Sequence, residues 1–331
     1  MNSQRVLFLD LAKGFGILLM LFQHCIPQHN LWRLFLQAFV MPIFFVVGGY
    51  IWSFKNARGI AVALSGDYFI KRVKQLGIPY IAGCIVLALF YEVLSLSQGD
   101  HSIPDSLVRI ITLKGIDSMW FLPVYFLSEI LFLGIIGLGR QTLVYLYVVF
   151  VILILHIIVR FEGAEWPFAL VEKSLLGSLF FVGGYVSANH KIQDSSLVLL
   201  LVLVLIGIVG SYINGFTSFA NLHYPFLYFI DGLSLSVAVL MLCLYVSSQD
   251  SFFSRVIVKF GQETLLVLCT NNLFIEIFRL LDYKLNNNFF LNHGMLGNFL
   301  MFVVITLIEF IFIHIYRRLF SLRRQVRIND K

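Results

Sequence analysis

The sequence predicts an all-α, polytopic membrane bundle of about ten transmembrane helices, with both termini in the cytoplasm. Of its 331 residues, 59% are hydrophobic and only 13% are charged, whereas globular domains carry about 45–50% apolar and about 25% charged residues. The apolar residues come in long runs, and a helix that crosses a bilayer needs roughly 20 of them. This composition excludes a soluble globular protein, a disordered chain and a nucleic-acid-binding protein.

Ten apolar runs account for the predicted spans, and together they make one transmembrane domain over residues 1–331. The first run contains Lys13 and no small-residue cleavage site, which indicates a retained helix and not a signal peptide. The sixth run is short, so we expect it to lie against protein more than lipid. The ten runs are 6–26, 35–54, 76–96, 119–138, 143–159, 175–188, 197–212, 222–246, 264–281 and 296–316.

The distribution of Lys and Arg predicts the orientation of the bundle. With the N-terminus in the cytoplasm, the inner segments carry 16 of the 24 basic residues, the outer segments carry 7, and Lys13 lies within a span. Cytoplasmic loops are enriched in Lys and Arg, and an even number of spans returns the C-terminus to the same side. Most of the net charge of +6, including the basic tail 317–331, is therefore attributed to orientation and not to an anionic ligand.

Cysteines and metal-type motifs offer no sign of a cofactor site. All four cysteines lie in apolar stretches without the spacing of a metal site, so we expect buried free thiols and no bound metal. No metalloprotease helix, phosphate-binding loop or serine-hydrolase elbow occurs in the sequence. The cysteines are Cys25, Cys84, Cys243 and Cys269.

The first span carries the most informative ionisable residues. A charge at the bilayer centre costs at least about 2.5–3.5 kcal/mol on insertion scales, so such residues are functional candidates. Asp10 and Lys13 are three residues apart and can pair on one helix face. Lys13 and His24 are eleven residues apart, which places them on the same face, about 16 Å apart along the axis. The alternative is an ion pair at the membrane edge and a hydrogen-bonded boundary histidine.

Three further segments carry polar or glycine motifs inside the bundle. The second span contains MPIFFVVGGY, and a similar FFVGGY recurs at 180–185; this is either a weak repeat or, as we expect, two places of close helix packing. Lys71, Arg72 and Lys74 form either a positive-inside anchor or a site for phosphates. Trp120 is expected in an outer aromatic belt. Glu129 lies within the same span, where a charged side chain is not expected to face lipid.

Four segments, taken in chain order, resemble the membrane acyltransferase family 3 and, within it, the fucose 4-O-acetylase-like branch. The first is similar to the family's basic residue, ten residues and histidine, which here are Lys13 and His24. Val40 and Gly48 depart from the family's usual His and Ser, and Asn271 or Asn272 stands where relatives often have a second His. The four segments are LDLAKGFGILLMLFQH, FVMPIFFVVGGY, KRVKQLGIPY and MWFLPVYFLSEIL.

The resemblance implies transfer of an acyl group, usually acetyl, from cytosolic acetyl-CoA to a hydroxyl of an envelope glycan or lipid-linked sugar in a bacterial inner membrane. His24 is then the general base, because a histidine suits proton transfer at neutral pH, and Asn271 is a possible oxyanion donor. The residues expected to hold CoA are Lys13, Lys71, Arg72 and Lys74. The residues expected to contact the acceptor are Asp10, Tyr50, Trp120 and Glu129.

Two other classes of function stay open at this point. A proton-coupled transporter or flippase would also display Asp, Glu and His inside its spans, although no inverted repeat of domain size is visible. A scaffold without enzymatic activity would not explain the Lys13–His24 arrangement. The sequence leaves the oligomeric state open between a monomer and a homodimer.

Overall fold

A computed structural model describes most of the chain. The described residues are 3–27, 30–55, 59–60, 65–95, 103–161, 165–189, 196–219, 221–249, 251–286, 289–292 and 294–329. Over these ranges the chain forms helices and turns and no strand, which confirms the predicted all-α class.

The described part of the chain contains fourteen α-helices. Ten of its helical segments are long and apolar enough to cross a membrane, and each overlaps one of the ten predicted runs. The helices are α1 Ser3–Cys25, α2 Leu31–Phe39, α3 Pro42–Ser53, α4 Gly66–Ser95, α5 Ile103–Ile111, α6 Phe121–Gly137, α7 Gln141–Arg160, α8 Phe168–Asn189, α9 Leu197–Asn214, α10 Pro225–Val246, α11 Phe252–Gln262, α12 Thr264–Asn286, α13 Phe289–Asn292 and α14 Gly294–Asn329. The last helix continues through 317–329 of the predicted tail.

The second span is a broken helix. It covers Leu31–Ser53, but α2 ends at Phe39 and α3 begins at Pro42. Proline has no N–H to donate and favours the first helical turn, so it ends one helix and starts the next. At the other end of α2, the Asn30 side chain accepts from the backbone N–H of Trp32 at 2.9 Å and caps the helix.

The repeated glycine motif marks close helix packing, as predicted, and the two copies pack against each other, in α3 and α8. A Cβ at Gly49 would overlap the carbonyl of Phe181, and a Cβ at Gly184 would overlap the carbonyl of Val46. Only glycine lets the two backbones approach this closely at both points. The sixth span is longer than expected, since α8 begins at Phe168, and two-thirds of its apolar window is buried inside the protein.

The two ends of the bundle are distinct, and we name them by what they carry. The termini face carries the start of α1 and the Arg317 end of α14, and the His24 face is the opposite end. Helix α11 lies against α1 near the termini face, where a Cβ at Gly261 would overlap the carbonyl of Asp10. Gln262 of α11 bonds both to Asp10 near the start of α1 and to Arg317 in α14, so these two parts of the chain lie at one face of the bundle.

Carboxylates inside the spans join neighbouring helices. The Asn214 amide of α9 donates to Asp231 of α10 at 3.3 Å, and the Thr270 hydroxyl of α12 lies 3.0 Å from both carboxylate oxygens of Glu309 in α14. Both acids are fully buried. A buried polar group needs such a partner. Glu309 therefore has a structural reason to be there, whereas Asp231 is only partly satisfied, since its buried Oδ1 makes no hydrogen bond with any described residue.

Candidate active site

A polar cavity of about 390 Å³ opens at the His24 face. Its walls come from the end of α1, from α2, from the end of α4, from α12 and from the 3₁₀ turn Asp117–Trp120 that precedes α6. The polar lining residues are Gln23, His24, Arg33, Gln37, Tyr91, Asp117, Ser118, Ser218, Asn272, Glu276 and Arg279. The apolar ones are Met20, Met41, Trp120, Phe219, Leu268 and Ile275.

His24 lies in the last turn of α1, and two arginines hold that turn in place. Arg279 of α12 donates from Nη2 to the His24 carbonyl at 2.9 Å, and Arg33 of α2 donates from Nη1 to the Ile26 carbonyl at 3.0 Å. The last carbonyls of a helix have no partner within it, so these guanidiniums satisfy groups that would otherwise be left open. Arg279 is itself fixed by Glu276 at 2.7 Å.

The imidazole of His24 remains available to a ligand. It is half-buried in the cavity wall. Arg33 and Arg279 act on it electrostatically, but their printed hydrogen bonds go to backbone carbonyls. Across the described ranges of the chain, the His24 ring makes no hydrogen bond. A cavity histidine with unoccupied ring nitrogens can exchange a proton with a bound hydroxyl.

Two more side chains in the lining have buried polar atoms without a partner. The Nε of Arg33 and the Oε1 of Gln37 make no hydrogen bond with any described residue. They are four residues apart in α2 and therefore lie on one face of that helix. An unsatisfied buried group costs about 1–3 kcal/mol, so this wall of the cavity is suited to a ligand that offers both an acceptor and a donor.

The two asparagines of α12 have different positions. Asn272 lines the cavity, whereas Asn271 is fully buried behind it. The Oδ1 of Asn271 accepts from the backbone N–H of Asn272 at 2.6 Å and from the Ser118 hydroxyl at 3.4 Å. Its Nδ2 has no partner among the described residues. Asn271 therefore connects α12 to the turn that carries Trp120, and its role as an oxyanion donor stays a prediction.

The turn before α6 brings Trp120 into the cavity wall with His24. Asp117 begins this turn with a φ of +49°, which is uncommon for a residue other than glycine. Its carboxylate accepts from the Tyr91 hydroxyl at 2.6 Å, which ties the turn to α4. The Ser118 hydroxyl donates to the Leu268 carbonyl at 3.0 Å and ties the turn to α12. Trp120 thus lies at the His24 face, as the predicted topology requires, but it is half-buried in the cavity wall.

Lys13 and Asp10 form the predicted ion pair, away from the cavity. Lys13 Nζ lies 2.6 Å from Asp10 Oδ1, and Gln262 of α11 donates to Asp10 Oδ2 at 3.4 Å. Eleven residues of α1 separate Lys13 from His24, which corresponds to about 16 Å. Asp10 was expected to contact the acceptor. It lies instead in the half of the bundle nearer the termini face, outside the cavity.

Arg72 and Glu129 are partners of each other. From the sequence, Arg72 was expected to hold CoA and Glu129 was expected to contact the acceptor. Arg72 Nε lies 2.5 Å from Glu129 Oε2, and the two side chains are 21% and 3% exposed. Glu129 also accepts from Trp52 Nε1 and from the Tyr68 hydroxyl, both at 3.1 Å. The Arg72 guanidinium lies 5.6 Å from the centre of the Tyr125 ring. This network joins α3, α4 and α6.

The remaining predicted residues lie outside the cavity. Tyr50 is almost fully buried, and its ring packs edge-on against Phe8 at 5.5 Å between centroids. Lys71 and Lys74 are exposed on α4, on either side of Arg72. Of the ten predicted site residues, the structure thus brings His24 and Trp120 together, with Asn271 directly behind.

Sequence reasoning missed Arg33, Gln37 and Arg279 as residues of the site. A signal was present, because Arg33 and Arg279 are two of the seven basic residues on the predicted outer side. A basic residue that opposes the orientation bias has a reason other than topology to be there. Gln37 carries no comparable sequence signal.

A family model described as an acyltransferase domain matches residues 6–314, a range that includes every residue of the cavity lining. No curated protein and no solved structure gives a significant match to the chain.

Proposed function

Since the chain belongs to the membrane acyltransferase family 3, we propose that it transfers acetyl from cytosolic acetyl-CoA to a hydroxyl of a cell-envelope glycan or lipid-linked sugar. The protein is a multi-pass membrane acyltransferase; the acetyl group, the donor and the glycan are parts of the proposal. The observation that carries it is a histidine with unoccupied ring nitrogens in a polar cavity between two arginines. We place the protein in a bacterial inner membrane and keep the fucose 4-O-acetylase-like branch as part of this proposal.

In the proposed reaction His24 is the general base. It takes the proton of the acceptor hydroxyl as that oxygen attacks the thioester carbonyl carbon. The tetrahedral intermediate then breaks its carbon–sulfur bond. The CoA thiolate leaves and receives the proton held by His24, so the products are an acetyl ester and CoA, and the histidine is neutral again.

Arg33 is the best-placed donor for the negative charge that develops on the thioester oxygen. Arg279 is already held by Glu276 and the His24 carbonyl, whereas Arg33 has a buried Nε without a partner in the described chain. A positioned donor of this kind contributes roughly 100- to 1,000-fold to kcat. Asn271 is kept as a second proposed donor, because its Nδ2 is also without a described partner.

Gln37 and Trp120 are proposed to hold the acceptor. The free Oε1 of Gln37 can accept from a second hydroxyl of a sugar, and Trp120 supplies an aromatic wall of the kind that ligand cavities use beside a few polar groups. Trp120 was expected to contact the acceptor from the sequence alone. Tyr50, Asp10 and Glu129, which were expected with it, have partners outside this cavity.

The donor is proposed to enter from the termini face. Lys71 and Lys74 are exposed there and are suited to phosphate oxygens, while Lys13 and Arg72 are already paired with carboxylates. The long, thin pantetheine arm would then thread between helices toward His24. This arrangement keeps the charged nucleotide at one end of the bundle and the reacting thioester at the other.

Transport is the weaker interpretation. Three carboxylates within the spans have partners on neighbouring helices and lie outside the cavity: Glu129 with Arg72, Asp231 with Asn214 and Glu309 with Thr270. The two carboxylates that line the cavity also have partners, since Glu276 pairs with Arg279 and Asp117 accepts from the Tyr91 hydroxyl. Together with membership of an acyltransferase family, this favours group transfer.

The test is a transfer assay on membranes. Membranes that contain the protein are incubated with acetyl-CoA labelled in the acetyl group, and the glycan and lipid-linked sugar fractions are examined for label. We expect label that survives washing and is released by mild base, as an ester is. Label absent from both fractions, with the protein present and folded, would contradict the proposal.

A further inference from the structure

A second, strongly basic hollow lies at the termini face, at the opposite end of the bundle from His24. Its volume is about 310 Å³, and it lies between α11 and the end of α14. We call it the basic hollow. It is lined by Lys259, Phe310, Ile313, His314, Arg317 and Arg318. None of the ten site residues predicted from the sequence lies in it.

Two of its cations are held in defined positions. Arg317 donates from Nε to Glu263 at 2.8 Å and from Nη2 to Gln262 at 2.8 Å, which fixes its guanidinium against the end of α11. Lys259 Nζ lies 5.2 Å from the centre of the Phe310 ring, a position in which the ring attracts the cation. The basic hollow is therefore an ordered arrangement of charged groups.

The charge of the lining is one-sided. The lining contains the basic side chains of Lys259, Arg317 and Arg318 and the imidazole of His314, and it includes no Asp or Glu. The carboxylate of Glu263 already pairs with Arg317. Cations gathered in a concave site raise the local concentration of anions, and Arg and Lys are the usual partners of phosphate oxygens.

We propose that the basic hollow binds a phosphate-bearing ligand. Phe310 and Ile313 give it an apolar floor, so the ligand would carry an apolar or aromatic group next to its phosphates. Two ligands share this chemistry: the nucleotide end of coenzyme A, and the headgroup of an anionic phospholipid, which basic sites beside membrane helices also bind. The first source rests on the proposed function, and the second does not.

Position favours the nucleotide. Helix α11 packs against α1 at Gly14 and Gly261, next to the Asp10–Lys13 pair, so the basic hollow adjoins the end of α1 where the donor was expected to bind. From there α1 leads directly to His24. The basic hollow thus supplies phosphate contacts at the correct end of the bundle, whereas Arg72 is occupied by Glu129.

The experiment uses the purified full-length chain in detergent, with coenzyme A and 3′-dephospho-coenzyme A as probes. The test variant is Lys259→Gln with Arg318→Gln, which leaves the Arg317–Glu263 pair intact. The matched control is Arg255→Gln, which removes an exposed cation of the same helix outside the basic hollow. We expect coenzyme A to bind the double variant at least tenfold more weakly than it binds the wild type or the control, and Lys259→Arg to retain binding.

A second arm separates the lipid source. The melting temperature of each protein is measured with and without added phosphatidylglycerol. If the double variant keeps coenzyme A affinity but loses the stabilisation by this lipid, the ligand is the phospholipid headgroup. If it loses neither, the proposal is overturned. Gel filtration of the double variant confirms that it is folded.

A third measurement keeps this proposal separate from the proposed function. If the ligand is coenzyme A, the double variant should need at least tenfold more acetyl-CoA than the Arg255→Gln control to reach half of its maximal rate of transfer, because the basic hollow holds the donor. A wild type that transfers no acetyl but binds a phosphate ligand here would contradict the enzyme assignment alone. Normal transfer with unchanged ligand binding would contradict the basic hollow alone.

Discussion

At the scale of single residues, the geometry around His24 depends on how helix α1 ends. Arg279 and Arg33 donate to the carbonyls of His24 and Ile26, and in doing so they place two positive groups beside the imidazole. The same two residues therefore fix the turn that carries His24 and contribute to the polarity of its cavity. The buried Nε–H of Arg33 makes no hydrogen bond with any described residue. We expect this group to donate to the oxyanion that develops during the proposed reaction.

Replacing Arg33 by Gln should lower kcat for acetyl transfer by roughly 100- to 1,000-fold, because it removes a positioned donor to the developing oxyanion. The KM for acetyl-CoA should change much less. Steady-state kinetics with labelled acetyl-CoA measures both. Arg160→Gln, which removes an exposed basic residue at the end of α7, is the matched control. An Arg33→Gln enzyme with wild-type kcat would remove Arg33 from the mechanism.

The candidate site was only partly predictable from these residues. The spacing of Lys13 and His24 drew attention to α1, and the structure places His24, but not Lys13, in the wall of the polar cavity. Arg33 and Arg279 were assigned to topology, because a sequence does not reveal that α2 and α12 meet at the end of α1. Arg72 and Glu129 lie 57 residues apart in the chain, and no pattern in the sequence indicates that they form a pair.

At the scale of elements, the bundle is stabilised by close helix contacts and by a buried ion-pair network around Glu129. The contact between α3 and α8 requires glycine at Gly49 and Gly184, each of which meets a carbonyl of the other helix. The network around Glu129 joins α3, α4 and α6 through Arg72, Trp52 and Tyr68. Both features lie between the termini face and the cavity, so they determine how the two ends are held together.

Gly49→Val should separate α3 from α8 and sharply reduce the amount of folded protein, since overpacking costs about 1–3 kcal/mol even where the obstacle is a side chain. The obstacle here is backbone, which cannot rotate away. Gly134→Val is the control, because a Cβ at Gly134 has nothing within 4 Å. Fluorescence-detected gel filtration and a melting curve measure the effect. Equal melting temperatures for the two variants would mean that the close contact is absent in the folded protein.

Glu129→Gln should destabilise the protein by about 3–5 kcal/mol, because it leaves the Arg72 guanidinium buried without its counter-ion. Lys71→Gln, an exposed position on the same helix as Arg72, should change stability by no more than about 0.5 kcal/mol. Thermal unfolding in one detergent compares them. If Glu129→Gln unfolds like the wild type but raises the KM for acetyl-CoA, then Arg72 and Glu129 act on the donor instead.

The elements themselves were more predictable than their details. Ten long apolar runs identify ten spans because the bilayer permits few other arrangements of an apolar chain. The break between α2 and α3 was not expected, although Pro42 lies at that point. Helix α11 was missed because it is short and amphipathic, and a hydropathy pattern built to detect spanning helices does not register it.

At the scale of the whole molecule, the basic hollow and the His24 cavity lie at opposite faces of one bundle. The excess of Lys and Arg in the inner segments predicts that the termini face is cytoplasmic. Acetyl-CoA is a cytosolic donor in the proposed reaction, and a glycan acceptor would be reached from the His24 face. The orientation therefore bears directly on the function.

A membrane-impermeant thiol reagent applied to intact cells should label Lys114→Cys and should not label Lys331→Cys until the membrane is permeabilised. The native cysteines are buried or half-buried, and the unsubstituted protein shows any label that they take up. The reverse labelling pattern would mean that the termini face lies outside the cytoplasm, opposite to the predicted orientation. It would also place the His24 cavity on the cytoplasmic side.

We propose His24 as the base of an acetyl transfer in the cavity at the His24 face. The direct measurement compares His24→Ala with His156→Ala, which removes an exposed histidine of α7 outside the cavity, in membranes given labelled acetyl-CoA. We predict that His156→Ala forms labelled product at the wild-type rate and that His24→Ala forms none, with both proteins present in the membrane at wild-type amounts. Normal product from His24→Ala would contradict the claim.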